Sequence, residues 1–320
     1  MTCIFRCAAI MSVLLSLPQG ALAQNYPART VRLVASSTGG VEIVARILAD
    51  KLSQSFGQQV IVDPRAAAAG NVAAEIVAKA PADGYTVLMM TITHTVNASL
   101  YRNLPYDLVR DFAPVTRLVS TPLVVVAHPS MPVKSIGELV KLAKARPGAI
   151  NYASAGTGRP THLAPELFKK QAGVDMVHVP YKGGGEAQTS VVIGETTVYF
   201  ANIGTALPFI QQGALRALGV TSVKRVPMLP DCPTIAEAGY PGYQAESWFG
   251  FMVPAKTPEP VIATIRAATI SALNNPDVVK RLNALAYIPV GDQSAEFGAY
   301  IQSEIARYRQ VVSDLRLTVD

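Results

Sequence analysis

Residues Thr30–Leu52 run T-V-R-L-V-A-S-S-T-G-G-V-E-I-V-A-R-I-L-A-D-K-L, and three kinds of patterning succeed one another in them. Thr30 to Ala35 is a short β-branched, apolar run, the composition of a strand. Ser36 to Gly40 is small and polar and ends in two glycines, which marks a loop. Val41, Val44, Ala45, Leu48 and Leu52 then recur at the three- and four-residue spacing of one helix face. Strand, glycine-ended loop and helix form the opening unit of an α/β domain with a parallel sheet.

The alternation continues on both sides. Gln59 to Val62 reads as a strand, Val72 to Ala80 as a helix, Asp83-Gly84 as a turn and Tyr85 to Met90 as a strand. Pro122 to His128 is a buried strand closed by Pro129, and a second unit starts after it. Its strands are predicted at Ile150–Ala153, Met176–Val179, Val198–Ala201 and Ala217–Thr221. Its helices are predicted at Ile136–Ala145, Thr161–Ala172, Glu186–Ile193 and Ala206–Gln212. Ser247 to Val253 is apolar and aromatic again, followed by helical periodicity over Pro258–Leu273, Asp277–Leu285 and Ser294–Leu315. Two α/β units joined by two extended apolar segments predict a hinged, two-lobe protein. The chain leaves lobe one near Val124 and returns near Trp248, so lobe one comprises 24–124 and 248–320 and lobe two 125–247.

With 50% hydrophobic and 16% charged residues among 320, the chain can bury a sizeable core, which excludes wholesale disorder. At the N-terminus, Arg6 precedes an apolar stretch from Ala8 to Leu17, Pro18-Gln19-Gly20 breaks it, and Ala21-Leu22-Ala23 supplies a small-x-small site. The stretch is too short to span a bilayer, and the pattern predicts a secretory signal peptide cleaved after Ala23. Cleavage removes Cys3 and Cys7. Cys232 then has no intramolecular disulfide partner, and between Asp231 and Pro233 it reads as a small apolar filler. The formal net charge is +6, one less once Arg6 is left out. The basic residues are dispersed and no Lys/Arg run exceeds two, which argues against nucleic acid and for a mild field favouring small anions.

Three loops follow strands and open helices: Ser36–Gly40, Ser154–Pro160 and Tyr181–Gly185. Ligands of open α/β sheets bind at the carboxyl ends of the strands, where such loops lie. Helix-start amides and the positive end of the dipole hold anions without a charged side chain. Ser36, Ser37, Thr38, Gly39 and Gly40 are therefore expected to face Ser154, Gly156, Thr157 and Gly158 across a cleft, although ordinary βα turns have the same composition. Gly156-Thr157-Gly158 lacks the third glycine of a dinucleotide fingerprint, and no Walker loop occurs. The four histidines are scattered, with no H-x-x-x-H and no G-x-S-x-G elbow. His162, in the first turn after the glycine loop, reads as a hydrogen-bond partner of that loop or of a ligand, the structural role being commoner for a lone histidine. No catalytic, cofactor or metal signature emerges.

Several longer runs carry a family resemblance. They are L-P-Y-D (Leu104–Asp107) with D-F-A-P-V (Asp111–Val115), and N-Y-A-S-A-G-T-G (Asn151–Gly158) with His162-Leu163-Ala164. H-V-P-Y-K-G (His178–Gly183), L-R-A-L-G-V-T-S (Leu215–Ser222) and L-P-D-C-P-T-I-A-E-A-G-Y-P-G-Y (Leu229–Tyr243) complete the set. The chain resembles, from Tyr26 to its C-terminal helix, the Bug receptors, extracytoplasmic substrate-binding proteins of tripartite tricarboxylate transporters. The resemblance implies a type II periplasmic-binding-protein fold, with two α/β lobes joined by two crossing strands around a ligand cleft. It implies a non-catalytic periplasmic receptor for a small carboxylated anion, delivered to membrane permease subunits; a monomer without cofactors is expected, although the sequence does not fix the oligomeric state. A receptor that signals to a membrane sensor and a secreted α/β enzyme are the alternatives.

The resemblance also places one ligand carboxylate on amides and waters from Ser37–Gly40 and Ser154–Arg159, with Thr91, Asn202 and Ala66–Gly70 (Ala69 and Gly70 included) at the specificity end. Three departures stand out. Thr38 occupies a position where the family has proline, with Glu42 one residue early for the acidic residue that follows. Pro64-Arg65-Ala66-Ala67-Ala68-Ala69-Gly70 replaces N-R-P-G-A-G-G, which is expected to narrow the backbone freedom there. Arg159 replaces Ser or Thr, as a solvated loop arginine or as a direct fork to a ligand carboxylate.

Overall fold

The computed structural model describes residues 26–317; the leader expected over residues 1–23 lies outside them. The first unit contains β1 (Val31–Ala35), α1 (Gly40–Phe56), β2 (Val60–Pro64), α2 (Asn71–Ala78), β3 (Thr86–Thr91) and α3 (Ile92–Leu100). β1 pairs in parallel with both β2 and β3, as the strand–loop–helix pattern requires. The long β4 (Phe112–Ala127) leads to the second unit of α4 (Ile136–Ala145), β5 (Asn151–Ser154), α5 (Pro160–Ala172), β6 (Val177–Pro180), α6 (Gly184–Val192), β7 (Val198–Asn202), α7 (Ile203–Gln211) and β8 (Arg216–Val220). β9 (Glu246–Pro254) returns, followed by α8 (Glu259–Leu273), α9 (Pro276–Ala284), the two-residue β10 (Ile288–Pro289) and α10 (Ser294–Asp314).

The strands run β2-β1-β3-β9-β4-β7-β5-β6, with β8 and β10 also on β4. The sheet is thus mixed. Its flanks are parallel, and the two crossing strands at its centre run antiparallel because one leaves lobe one and the other returns. β4 pairs with β9 from Phe112 opposite Pro254 to Pro122 opposite Glu246, then with β7 from Leu123 opposite Asn202. The outgoing ladder therefore changes partners between Pro122 and Leu123, one residue before Val124. Trp248 still pairs with Ser120 in the first-lobe ladder. The return step falls at Ala245, whose N–H donates to Thr221 at 3.0 Å.

Two elements escape the sequence reading for identifiable reasons. Pro114, Thr116, Arg117 and Ser120 break the apolar run of β4's first half, and the ladder absorbs them with register shifts at Pro114/Thr116 and Arg117/Val119. α3 is I-T-H-T-V-N-A-S-L, rich in residues that disfavour helix. It is held by its cap, Thr91, whose Oγ1 accepts the Thr93 N–H at 3.2 Å.

Each lobe buries both faces of its sheet. In lobe one, Leu33, Val44 and Leu48 pack with Phe251 and Ile265 on one face, and Leu88, Ile92 and Trp248 with Phe297 and Tyr308 on the other. In lobe two, Leu123, Tyr152 and Phe168 lie on one face, and Val124, Ala187 and Tyr199 on the other. Cys232 is buried in the last of these clusters, and burial pushes its thiol up to about 11, which keeps it protonated.

Candidate functional site

The carboxyl ends of β1 and β3 in lobe one and of β7 in lobe two open onto one cavity of about 500 Å³ between the lobes. Ser36, Ser37, Thr38 and Gly40 line one wall beside Ala69, Gly70 and Thr91, and Arg159 and Asn202 line the opposite wall. These nine residues, all named from sequence, are therefore brought together.

On the first wall the loop is fixed from behind. Ser36 is buried and its Oγ donates to the Met89 carbonyl at 2.9 Å. Gly39, with φ 70° and ψ −126°, is the N-cap of α1 and has no side chain to satisfy the first-turn amides. Gly39 itself does not line the cavity, because its left-handed turn carries the chain past the opening; Gly40 and Val41 come forward instead.

The alanine segment departs from the expected loss of freedom. Ala68 and Ala69 adopt φ 49° and 54°, the left-handed conformation that glycine enters without cost. Asn97 holds the segment, its Nδ2 donating to the Ala69 carbonyl at 3.2 Å and to Asn71 Oδ1 at 2.8 Å. His94 adds a second hold. Its Nδ1 accepts the Thr91 N–H at 3.1 Å, and its Nε2–H donates to the Gly70 carbonyl at 3.3 Å. Complete burial lowers its pKa, so the ring stays neutral and this tautomer persists. The signal for His94 was present as Thr91-x-x-His94, a capping box with histidine in the place of Glu or Gln. Replacing Ala69 by glycine relieves the left-handed strain, roughly 1–2 kcal/mol, against about 0.5–1 kcal/mol of added chain entropy. The expected outcome is a gain of about 0.5–1 kcal/mol in urea unfolding at unchanged m-value.

The second wall requires a correction. Of the Ser154–Pro160 loop, Ala155, Arg159 and Pro160 line the cavity, whereas Ser154, Gly156, Thr157 and Gly158 do not, and the Ala155, Gly156 and Gly158 amides are bonded within the loop or to α5. Ser154 is fully buried, its Oγ accepting the Gly156 N–H at 3.1 Å and lying 2.6 Å from His178 Nε2. The Ala155 N–H donates to Thr161 Oγ1 at 2.9 Å and the Gly158 N–H to His162 Nδ1 at 3.1 Å. These amides are not free to grip an anion, and His162 takes the structural role. Its ring stacks on His178 at 3.9 Å, with Tyr152 5.1 Å beyond. Desolvation, reinforced by His178 and Lys169, lowers His162 to about 3.

Other groups complete this wall. Thr161, at the start of α5, reaches the cavity with Arg159, as do Lys182, Gly183 and Gly184 at the start of α6. The Tyr181–Gly185 loop was legible as a strand-to-helix loop, although none of its residues was assigned to the site. Thr121, Ser247, Phe249 and Tyr287 were missed altogether, since they come from the crossing strands and the turn before β10, where no local motif marks a site. Arg159 and Lys182 are the only charged side chains lining the cavity, and among the described residues neither enters an ion pair. Among the described residues no carboxylate lines it. Among the described residues no group of three His, Cys, Asp or Glu is placed to hold a metal, and no helix is long and apolar enough to cross a membrane.

Two α/β lobes, two antiparallel crossing strands and an anion-compatible cleft between them define a solute-binding receptor of the type II periplasmic-binding-protein fold. The pattern described as "Tripartite tricarboxylate transporter family receptor" matches residues 44–317. The chain belongs to that family. It is 34% identical over 296 residues to Protein BugT of Bordetella pertussis, covering 91% of each chain. Among solved structures it is similar to Rpa4515 of R. palustris, determined with adipate, at 34% identity and a TM-score of 0.79, over 92% of this chain and 100% of that one. MatC of Rhodopseudomonas palustris, determined with malate, is 30% identical with a TM-score of 0.75, over 90% of this chain and 100% of that one.

Proposed function

We propose that this receptor captures a small carboxylated anion in the periplasm by lobe closure and delivers it, unchanged, to the permease subunits of a tripartite transporter. One observation carries the reading: the cleft sets the start of α1, which has no side-chain cap, on one wall opposite Arg159 and Lys182 on the other, with no carboxylate among the described residues that line it. Adipate in Rpa4515 and malate in MatC supply the ligand class. The hinge is assigned to Pro122/Leu123 and Ala245/Glu246, where the ladders change partners, with lobe one before and after them and lobe two between. Residues 1–23 act as the export signal.

Thermal unfolding against adipate, malate and a set of mono- and tricarboxylates tests the reading. A ligand at a hundred times its Kd adds about 2.7 kcal/mol, or roughly 4 °C for a chain of this size. At least one carboxylate is expected to give that shift and to be recovered chemically intact; a flat response across the panel overturns the reading.

A further inference from the structure

The hydroxyl of Tyr287 stands over the first residue of α1. A Cβ built on Gly40 would overlap Tyr287 Oη and lie 3.2 Å from its Cζ, so the phenol occupies the space in front of the helix start. That start is the one whose cap, Gly39, offers no side chain. Tyr287 also lines the interlobe cavity. It belongs to no motif of the sequence, and it arrives from the far end of the chain.

The placement is held from three sides. The Tyr287 N–H donates to the Leu282 carbonyl at 2.9 Å, and the ring packs at 5.4 Å and 46° against Phe249 of β9. The preceding residue, Ala286, turns the chain with φ 60° and buries its methyl in the lobe-two core. The following residues, Ile288 and Pro289, pair with Ser120 and Val119 of β4. A segment anchored in lobe two, in lobe one and on a crossing strand leaves the phenol little freedom to lose when a ligand binds. Burial raises the Tyr287 pKa, so the group is a neutral O–H donor at physiological pH.

We propose that Tyr287 is a ligand-binding residue of this receptor, donating its O–H to the carboxylate that the first-turn amides of α1 hold. The inference rests on the carboxylate-receptor reading and deepens it. A single donor from a neutral hydroxyl to an ionised acceptor fits the geometry of a carboxylate oxygen presented to both the helix start and the phenol. The neighbouring Phe249 ring closes the space behind it.

Isothermal titration of the full receptor with adipate and with malate, for wild type and Tyr287→Phe, tests the assignment. Tyr287→Phe keeps the ring and its packing, so the unliganded melting temperature is expected to stay within about 2 °C. Affinity is expected to fall about tenfold for both ligands, because the lost bond is to the group the two share. Gly40→Ala, which pushes the ring aside, is expected to weaken binding similarly. In the double variant the two losses should fail to add. Wild-type binding with an unchanged Kd in Tyr287→Phe overturns the inference and leaves the receptor reading intact, as does a loss confined to one ligand. If wild type binds neither adipate nor malate, the same comparison is made with the panel carboxylates it does bind, and absence of binding across the whole panel overturns both.

Discussion

Replacing Arg159 by alanine is expected to weaken carboxylate capture by roughly 10–150-fold while leaving the unliganded fold unchanged. Arg159 is exposed, makes no ion pair among the described residues and lines the cavity, so its removal costs no packing. A charge-assisted bond to a carboxylate that becomes enclosed on lobe closure contributes about 1.5–3 kcal/mol, which is that range of affinity. The amides behind it cannot substitute. Gly156 and Gly158 donate to Ser154 and His162, and that second-loop grip is the one a family-typical reading would have expected. Arg159→Lys is expected to recover only part of the loss, since an ammonium lacks the planar fork. Calorimetric titration with adipate checks the series. An alanine variant that binds as tightly as wild type would place the guanidinium in solvent and leave Lys182 as the cation of the site.

The lobes and the first wall were readable because their signals are local. β1, its glycine-ended loop and α1 are contiguous, and apolar spacing alone places the loop at the strand's carboxyl end. The second wall was half readable. Composition located the Ser154–Pro160 loop, but composition does not say which way the amides point. That depends on Thr161, His162 and His178, and His178 is supplied by a neighbouring strand. Tyr287 and Phe249 were beyond reach for a stronger reason. Their approach to Gly40 is created by the long return of the chain through β9 and α9, and no spacing between residues 40, 249 and 287 encodes it. The first half of β4 is illegible for a similar reason. A polar, proline-bearing half-strand such as Phe112–Thr121 pairs because β9 lies beside it, not because its own pattern requires a strand.

The buried histidines make the fold sensitive to mild acid, and the sign follows from which state takes up the proton. In the unfolded chain His162 titrates near its usual 6.5, whereas burial lowers it to about 3 in the folded protein. Below pH 6.5 the unfolded state therefore binds the extra proton, and stability that is complete at pH 7 is lost as the pH falls. At about 1.4 kcal/mol per pH unit, His162 alone costs about 2 kcal/mol by pH 5. His94 and His178 are lowered by burial and act in the same sense, whereas the buried Glu304 carboxyl, raised by burial, opposes them at lower pH. Protonation of His162 also removes the acceptor of the Gly158 N–H and sets a charge against the stacked ring of His178 and the Lys169 ammonium. The local loss thus falls on the loop that carries Arg159. Urea unfolding of wild type and His162→Asn at pH 7 and pH 5 isolates the contribution. The variant keeps an acceptor beside Gly158 without the titration, so its stability is expected to fall by about 2 kcal/mol less than wild type between the two pH values. Equal falls in both proteins would show that His162 already carries its proton in the native loop, and the stacked, neutral pair would then not be what supports the second wall.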